Sequence, residues 1–439
     1  MQPITTSPAT EPTQAPAASP ADTYAPVAKG DKHIWGIYIL LCFISVIELY
    51  SASSQEVREA GLGVYGTIVR HVMFLLIGFG IVYFLQRTHY RKIARCIIPF
   101  AVVSVVLMIA TICCGTIVNG ARRSIHLGFF SLYPSEMLKL SAATIVSLVM
   151  VHSKLRDSGG VSNRGVIVAA SVILLYGALL APQGLTNTLL LMCISFSMMV
   201  VGGMSVRKIL TVLLIYGACF GCYVIYKQLR KSDKPDTEMV VEEKVDRTNE
   251  WGRRISDFLG SGVPKYEQPI TSDNRQEMLG YIAQAHGGVI GVGPGNSRET
   301  SRLPLAFTDY IYSIIVEEIG LVGGIFVLIL YLWLLARASA IASQCVRALP
   351  AQLVIGMALT IVFQALFHIC IVTGVIPVSG QPLPLISKGG TSIIITSVAF
   401  GIMLSVSRFA ARTSAKRKEM KLEEESLPEQ LRTENPSQL

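Results

Sequence analysis

Charged residues are scarce in this sequence. Asp, Glu, Lys and Arg make up 15% of its 439 residues, whereas a soluble globular chain is about 25% charged. Hydrophobic residues make up 51% and form long continuous runs. This pattern excludes an ordinary soluble domain and predicts a polytopic membrane protein. The net charge of +9 is explained by basic cytoplasmic loops, so it does not indicate a nucleic-acid partner.

Cysteine is missing from the long polar segment 227–306, which excludes a disulfide framework there. Nearly all of the nine cysteines lie in or beside apolar runs. Cys219 and Cys222 form a CxxC pair, but the surrounding "YGACFGCYVIY" is apolar. We therefore interpret the cysteines as small packing residues.

The apolar runs predict ten membrane-spanning helices of about 20 residues each. Their predicted limits are 34–53, 68–86, 93–113, 135–153, 164–182, 186–204, 208–226, 307–337, 350–373 and 391–409. The eighth run is long, so we expect it to tilt or to begin outside the hydrocarbon. The expected fold class is an all-α polytopic membrane protein, with a ten-helix membrane domain over residues 34–410.

Lys and Arg cluster in the short loops after spans two, four, six and eight, and again after span ten. By the positive-inside rule these segments and both termini are cytoplasmic. Residues 1–33 are rich in Pro, Ala and Thr and are predicted to be a disordered tail, and residues 411–439 form a second cytoplasmic tail. The loops 114–134, 227–306 and 374–390 then lie outside, with the long loop between spans seven and eight.

The first outer loop carries cations that the positive-inside rule does not explain. It contains "NGARRSIHLGFFSLYPSEMLKL", with Arg122 and Arg123 ahead of a helix that begins near Pro134. Glu136 and Lys139 are three residues apart and share a face of that helix. Two readings stay open, a structural ion pair or an anion pocket that includes the arginines and Lys139.

The segment "GGVIGVGPGNS", residues 287–297, has five glycines in its first nine residues. It lacks the Gly-Lys-Ser/Thr ending of a phosphate-binding P-loop and follows no strand, so it is neither a P-loop nor a dinucleotide fingerprint. Glycines allow a close approach of the backbone to a ligand or to another backbone. A tight re-entrant turn and a binding site are equally open.

Three acids stand in or beside the eighth apolar run, "LPLAFTDYIYSIIVEEIG". Asp309 begins the run at its outer end, and Glu317 and Glu318 are expected to lie up to about 13 Å deeper. A carboxylate in hydrocarbon costs at least about 2.5 kcal/mol, so these acids require partners or a function. We expect both glutamates to be structural, paired with a cation such as Lys139 or accepting hydrogen bonds at a helix end.

The last outer loop, "GVIPVSGQPLPLISKGGTS", cannot be one regular helix because it contains three prolines and four glycines. Irregular backbone at membrane depth is tolerated inside protein or beside an aqueous cavity. Lys388 is its one formal charge. The loop is either a rigid packing element or part of a site.

These four segments, in this order, resemble the motifs of the SEDS family (shape, elongation, division and sporulation). The matching patterns are "NGARR…PSE..K", "GG..G.GPGNS", "LP..TD.I…EEIG" and "IP.SG.PLP.IS.GG.S", and the similarity runs from Tyr50 to the tenth span. The "GPGNS" ending is more like the division-type, FtsW-like branch than the elongation-type, RodA-like branch. The resemblance implies a ten-helix SEDS-type bundle.

The resemblance also implies an activity. SEDS proteins polymerise the lipid-linked disaccharide-peptide lipid II into peptidoglycan glycan strands, together with a class B penicillin-binding protein. For this chain it implies a septal glycosyltransferase of the bacterial inner membrane, working with further division proteins and with no nucleic acid. No cofactor is assigned; a divalent cation, Mg²⁺ or Mn²⁺, is the candidate, and its ligands are unknown.

Asp309 matches the family's essential aspartate, and we expect it to be the catalytic general base. The substrate-binding candidates are Arg123, Lys139, Lys388, Gly293, Gly295, Asn296, Ser297 and Thr308. The supporting candidates are Glu136, Glu317, Glu318, Ser387, Gly389 and Gly390.

The chain departs from the family pattern at several positions near these motifs. The departures are Ser124 for Trp, Tyr133 for Gln, Leu305 for an acid, Phe307 for His, His368 for Asn and Lys388 for Tyr. Two other functions stay open. One is a lipid II flippase, since intramembrane acids and broken segments also suit transport. The other is a non-catalytic scaffold for the penicillin-binding protein.

Overall fold

The computed structural model describes residues 30–60, 63–118, 121–127, 130–155, 160–232, 267–271, 274–303 and 306–426. Leu305, residues 233–266 of the predicted outer loop and the N-terminal tail 1–29 lie outside these ranges. The described chain is mostly helical. Its α-helices are α1 (Lys32–Ala60), α2 (Gly63–Arg87), α3 (Tyr90–Arg95), α4 (Ile97–Cys114), α5 (Pro134–His152), α6 (Asn163–Leu180), α7 (Leu185–Val201), α8 (Val206–Ser232), α9 (Arg275–Gly287), α10 (Ala306–Asp309), α11 (Ile311–Ser343), α12 (Ala348–Val372) and α13 (Gly390–Ser426).

Eight helical segments among the described residues are long and apolar enough to cross a membrane. They are Lys32–Ser51, Ile68–Arg87, Ile97–Cys114, Pro134–His152, Asn163–Gln183, Ile311–Ser343, Ala348–Val372 and Gly390–Ala411. The runs 186–204 and 208–226 are also helical, as α7 and α8, and α7 is a shorter apolar helix. Helices therefore form at all ten predicted positions, and the count of ten spans stays a prediction.

A small antiparallel sheet lies in the first outer loop, where the all-α prediction is wrong. Strands β1 (Thr116–Val118), β2 (Ala121–Leu127) and β3 (Phe130–Leu132) pair in the order β1-β2-β3. The sequence carries the signal for the first hairpin, because β-branched Thr-Ile-Val is followed by Asn119-Gly120, a common two-residue hairpin turn.

The eighth predicted span is two helices joined at a sharp reversal. Gly320 has φ +80° and interrupts α11, which separates residues 311–319 from residues 321–343. A methyl group added at Gly324 would lie 2.8 Å from Tyr312 Oη. In an unbroken helix these two positions would be about 18 Å apart. The first half therefore folds back on the second, so this run is not one continuous tilted helix; the alternative, that it begins outside the hydrocarbon, stays a prediction.

The helices α5 and α12 and the segment Gly390–Ala411 of α13 form the centre of the bundle, and most of their residues are buried. The helices α2, α4 and α6 instead expose large apolar side chains such as Phe84, Ile98 and Ile167. An apolar outer surface is expected where helices meet lipid.

Candidate active site

Asp309 ends the short helix α10, and its carboxylate lies against the last outer loop. A methyl group added at Gly380 would lie 2.6 Å from Asp309 Oδ2 and 3.3 Å from Oδ1. Such distances are shorter than van der Waals contact, so a residue with a side chain would displace the carboxylate. Asp309 itself is partly exposed. Gly380 therefore lets the loop approach the acid closely while leaving it accessible.

The loop between α12 and α13 holds the backbone of α10 in place. The backbone N–H of Lys388 donates to Phe307 O at 2.9 Å. The hydroxyl of Ser387 donates to Thr308 O at 2.8 Å and accepts from the Leu383 N–H at 2.7 Å. These bonds satisfy irregular backbone inside the protein. The supporting candidate Ser387 thus fixes the turn that carries Asp309.

Burial raises the pKa of the Asp309 carboxyl, and this effect outweighs the positive charge of Arg123 and the hydrogen bond from Thr308, which both lower it. The pKa therefore lies above its ordinary value. A carboxylate with a raised pKa is a stronger base than one in bulk water. The charge of Arg123 keeps Asp309 ionised more readily than burial alone would allow.

Arg123 lies on β2 and faces the turn between α6 and α7. A methyl group added at Gly184, where φ is +148°, would lie 3.9 Å from its Nη2. Gln183 of the same turn donates to Arg122 O at 3.3 Å and so ties this turn to β2. Arg122 itself is exposed and donates to Ile112 O and Cys113 O at the end of α4. Arg123 acts on Asp309, whereas Arg122 caps a helix.

Lys139 is fully buried and pairs with Glu136 at 2.8 Å between Nζ and Oε1. The structure thus shows the ion pair suggested by the i, i+3 spacing. Lys139 pairs with Glu136. The expectation that a cation such as Lys139 pairs with Glu317 is therefore not met by Lys139. Its role in binding substrate stays a prediction.

Lys388 lies toward α1 and α2. Its charge acts on His71, whose Nε2 is 2.7 Å from the hydroxyl of Ser45. At the start of α13, Gly390 faces the ring of Phe74, and an added methyl group would lie 2.7 Å from that ring. At Gly389 an added methyl group would lie 3.6 Å from Ser392, an ordinary contact. Gly390 therefore permits close helix packing.

The glycine-rich segment gathers around Glu317. This buried carboxylate accepts hydrogen bonds from Ser297 Oγ and from the backbone N–H groups of Arg298 at 3.0 Å and Glu299 at 3.4 Å. His286 Nδ1 lies 2.9 Å from it. Sequence reasoning missed His286, which has no motif of its own. Glu317 thus accepts hydrogen bonds from N–H groups at the start of the 3₁₀ turn Glu299–Ser301.

The same segment also pairs with α11 along its backbone. The N–H groups of Val292 and Gly293 donate to Glu317 O and Glu318 O at 3.0 and 2.9 Å, and Gly295 N–H donates to Ser51 Oγ at 3.1 Å. The amide of Asn296 donates to Val292 O at 3.1 Å. The re-entrant turn is therefore present. Substrate contact by Gly293, Gly295, Asn296 and Ser297 stays a prediction.

Glu318 and the loop beside Asp309 contact different positions along α1. Glu318 accepts from Ser51, at the outer end of α1. The loop that holds α10 is bonded instead at Ser45, whose hydroxyl donates to Ile386 O at 3.0 Å. Ser45 is about 9 Å further along α1 toward its start. Because the helix is interrupted at Gly320, Glu318 meets α1 nearer the end of the Lys32–Ser51 span than this loop does.

A polar network is formed by Gln381, the residue that follows Gly380, with Asn187 and His368. Gln381 donates to Asn187 Oδ1 at 3.1 Å, and its carbonyl is 2.6 Å from His368 Nδ1. His368, which departs from the family pattern, belongs to this network. Gly380, Gln381 and Asn187 were missed, since their neighbourhood depends on tertiary contacts among α7, α12 and the loop.

The residues around Asp309 do not by themselves form a metal site. Across the part of the chain that the structure describes, no three His, Cys, Asp or Glu side chains lie close enough to hold a metal ion. Asp309 is accompanied by a guanidinium, whereas Mg²⁺ and Mn²⁺ prefer several oxygen ligands. The divalent cation stays a prediction, and no step below depends on it.

Comparisons with known proteins agree on one family. The family model of the cell cycle proteins FtsW, RodA and SpoVE matches residues 31–412. The chain is 28% identical, over 89% of its length and 75% of the relative, to the probable peptidoglycan glycosyltransferase FtsW of Xanthomonas oryzae pv. oryzae. It is 27% identical to stage V sporulation protein E of Bacillus subtilis, over 84% of its length and 96% of the relative.

Solved structures show the same fold. A chain of a peptidoglycan synthase complex that coordinates polymerization and crosslinking has a TM-score of 0.63 at 23% identity, over 87% of this chain and 98% of that one. The rod shape determining protein RodA of Thermus thermophilus has a TM-score of 0.58 at 21% identity, over 86% and 97%. At these identities the match concerns the fold.

Proposed function

This chain belongs to the FtsW/RodA/SpoVE family of cell cycle proteins, and on that premise we propose that it is a peptidoglycan glycosyltransferase that polymerises lipid II during septal wall synthesis. The main observation behind this proposal is the environment of Asp309. The acid is partly exposed, lies against Gly380 and has a pKa raised by burial beside Arg123. A positioned base of this kind is what activation of a sugar hydroxyl requires.

In the proposed reaction Asp309 takes the proton of the 4-hydroxyl of the acceptor sugar. The oxygen forms a bond to the anomeric carbon of the donor, and the bond from that carbon to the lipid pyrophosphate breaks. In-line attack converts an α-linked donor into a β-linked product. The pyrophosphate leaves with its electron pair, so it needs cations rather than a strong acid.

Arg123 is the best supported of the cations, because its charge already acts on Asp309. Lys139 and Lys388 complete the proposed anion-binding set. Lys139 also pairs with Glu136 at the start of α5, which fixes the position of its ammonium group. Thr308, whose hydroxyl donates to the Asp309 carboxylate, orients the base.

We further propose ten spans with both tails cytoplasmic, and a class B penicillin-binding protein as partner. The structural relative from a synthase complex supports this partner. Eight long apolar helices and the family membership indicate an inner-membrane protein. A septal location is part of the proposal.

The test is polymerisation of purified lipid II by the protein with its penicillin-binding protein. Asp309→Asn should lower the rate by 10²-fold or more, the range typical of a lost general base, with an unchanged unfolding temperature. Glu277→Gln, which removes an acid from α9, is the matched control and should stay active. Full activity of Asp309→Asn would rule out the assigned base.

The same assay separates the alternatives. A flippase would not make glycan in detergent without a membrane potential. A scaffold would support growth when Asp309 is replaced, whereas the proposed enzyme would not.

A further inference from the structure

Helix α1 carries a polar stripe within an apolar span. Ser45, Glu48 and Ser51 recur every three residues and so share one face. Ser45 bonds to Ile386 O and His71, and Ser51 bonds to the Glu318 carboxylate. Glu48 lies between these two contacts, one turn from each. No motif draws attention to it, although an ionisable residue in a span is a site hypothesis by default.

Glu48 is fully buried, and neither of its carboxylate oxygens has a hydrogen-bond partner among the described residues. Oε2 of Glu318 is buried without a partner in the same part of the structure. The charge of Glu318 acts on Glu48. Ser51 follows Glu48 by one turn on the same face of α1 and bonds to Glu318, so the two buried carboxyl groups lie in the same part of the structure, with three oxygens that accept no hydrogen bond from the described residues.

Several ionisable groups near this stripe have hydrogen-bond or charge partners other than Glu48. From α2, His71 bonds to Ser45, and the charge of Lys388 acts on that histidine. Glu317 is bonded by Ser297 and His286. From the turn before α10, Glu299 pairs with Arg302 at 3.4 Å. Within the described ranges, the group whose charge acts on Glu48 is thus another acid.

Two buried carboxylates cannot both stay ionised beside each other without compensation, because each loses its hydration and repels the other. A single positive charge removes most of that cost. The atoms without a hydrogen-bond partner are all carboxyl oxygens, and such oxygens bind a proton or a hard cation. We propose that Glu48 and Glu318 form a site for one small monovalent cation, a proton or Na⁺, at the outer end of α1.

An exposed position lies next to the site. Ser51, which bonds to Glu318, also accepts from Gly295 N–H at an exposed position. The site joins α1, α11 and the glycine-rich segment, so a bound cation would hold these three elements together. The proposal does not depend on the glycosyltransferase activity.

The test uses the full-length protein in nanodiscs and three variants, Glu48→Gln, Glu318→Gln and the control Glu277→Gln. The unfolding temperature is measured in one arm against NaCl, with choline chloride keeping ionic strength constant, and in the other against pH from 5 to 9. Glutamine keeps the shape but removes the charge. Binding of ²²Na⁺ to the same samples provides a direct readout.

For a sodium site, the wild type and Glu277→Gln should show a saturable rise in unfolding temperature with Na⁺ and bind ²²Na⁺, and Glu48→Gln should lose both. For a proton site, the wild type should lose stability as pH rises, without any dependence on Na⁺, and Glu48→Gln should be flat. Glu318→Gln should weaken either response.

Two results would overturn the proposal. One is a wild type that responds to neither Na⁺ nor pH, or responds no differently from Glu48→Gln. The other is a large loss of stability in Glu48→Gln under all conditions, which would mean that Glu48 is an ionised partner of another cation in the chain.

Discussion

At the scale of single residues, the catalytic argument depends on how closely two chain segments approach. Asp309 is placed by Gly380, Ser387 and the Lys388 backbone rather than by other acids. The carboxylate is held among protein atoms, which raises its pKa, with Arg123 opposing that effect. In the proposed reaction, a base in this setting accepts a proton from the sugar hydroxyl in the transition state.

We predict that Gly380→Ala lowers the turnover number by about 10²-fold, because a methyl group 2.6 Å from Oδ2 would move the carboxylate and misplacement by about 1 Å costs this much. The KM for lipid II should change far less. The measurement is the rate of glycan synthesis against lipid II concentration. Gly36→Ala on α1, where an added methyl group meets nothing within 4 Å, is the control, and equal losses in both variants would refute the positioning role.

At the scale of secondary-structure elements, the reversal at Gly320 explains the acids of the eighth apolar run. It folds residues 311–319 back on residues 321–343 and leaves an exposed set of backbone groups for the glycine-rich segment to bind. Leu321 N–H donates to Gly288 O at 2.9 Å, and Val322 N–H donates to Val289 O at 3.3 Å. Glu317 then serves as the acceptor that closes this junction.

Gly320→Ala should destabilise the protein, because alanine at φ +80° costs about 1–2 kcal/mol and its methyl group would collide with Val289 O. We expect a lower unfolding temperature and a parallel loss of polymerisation. The control is Gly80→Ala on α2, where the added methyl group meets nothing within 4 Å and helix propensity improves. An unchanged unfolding temperature in Gly320→Ala would show that the reversal tolerates a side chain.

At the scale of the whole molecule, one acid joins the ends of three helices. Asp31 accepts from Arg337 of α11, and its backbone N–H donates to Ser407 of α13 at 3.0 Å. Burial raises the pKa of Asp31, but the hydrogen bond from Arg337 and those from the Ile34 and His33 N–H groups outweigh it, so the pKa is lowered overall. This contact fastens the start of α1 to the bundle.

Asp31→Asn should lower stability at pH 7 by about 1–3 kcal/mol, the cost of leaving a partly buried charged group without its partner. A lowered pKa in the folded state means that the stabilisation is present above the unfolded value near 3.9 and is lost as pH falls through the folded value. Thermal unfolding in micelles at pH 7, 5 and 3 checks this. The difference between the wild type and the variant should shrink as the pH falls from 5 to 3, and a constant difference would contradict the charge-based explanation.

The sequence by itself determined the membrane class, the helix positions and the family, because hydropathy and motif spacing are local properties of the chain. It also singled out Asp309, whose role as the base stays a prediction. It also contained the Asn119-Gly120 hairpin signal and the Glu136–Lys139 spacing. Other features depend on which segments meet. The reversal at Gly320, the contact of Gly380 with Asp309 and the burial of Glu48 beside Glu318 arise from segments far apart in sequence. Only the tertiary structure decided them, since close approach and desolvation are set by neighbours that no local pattern names.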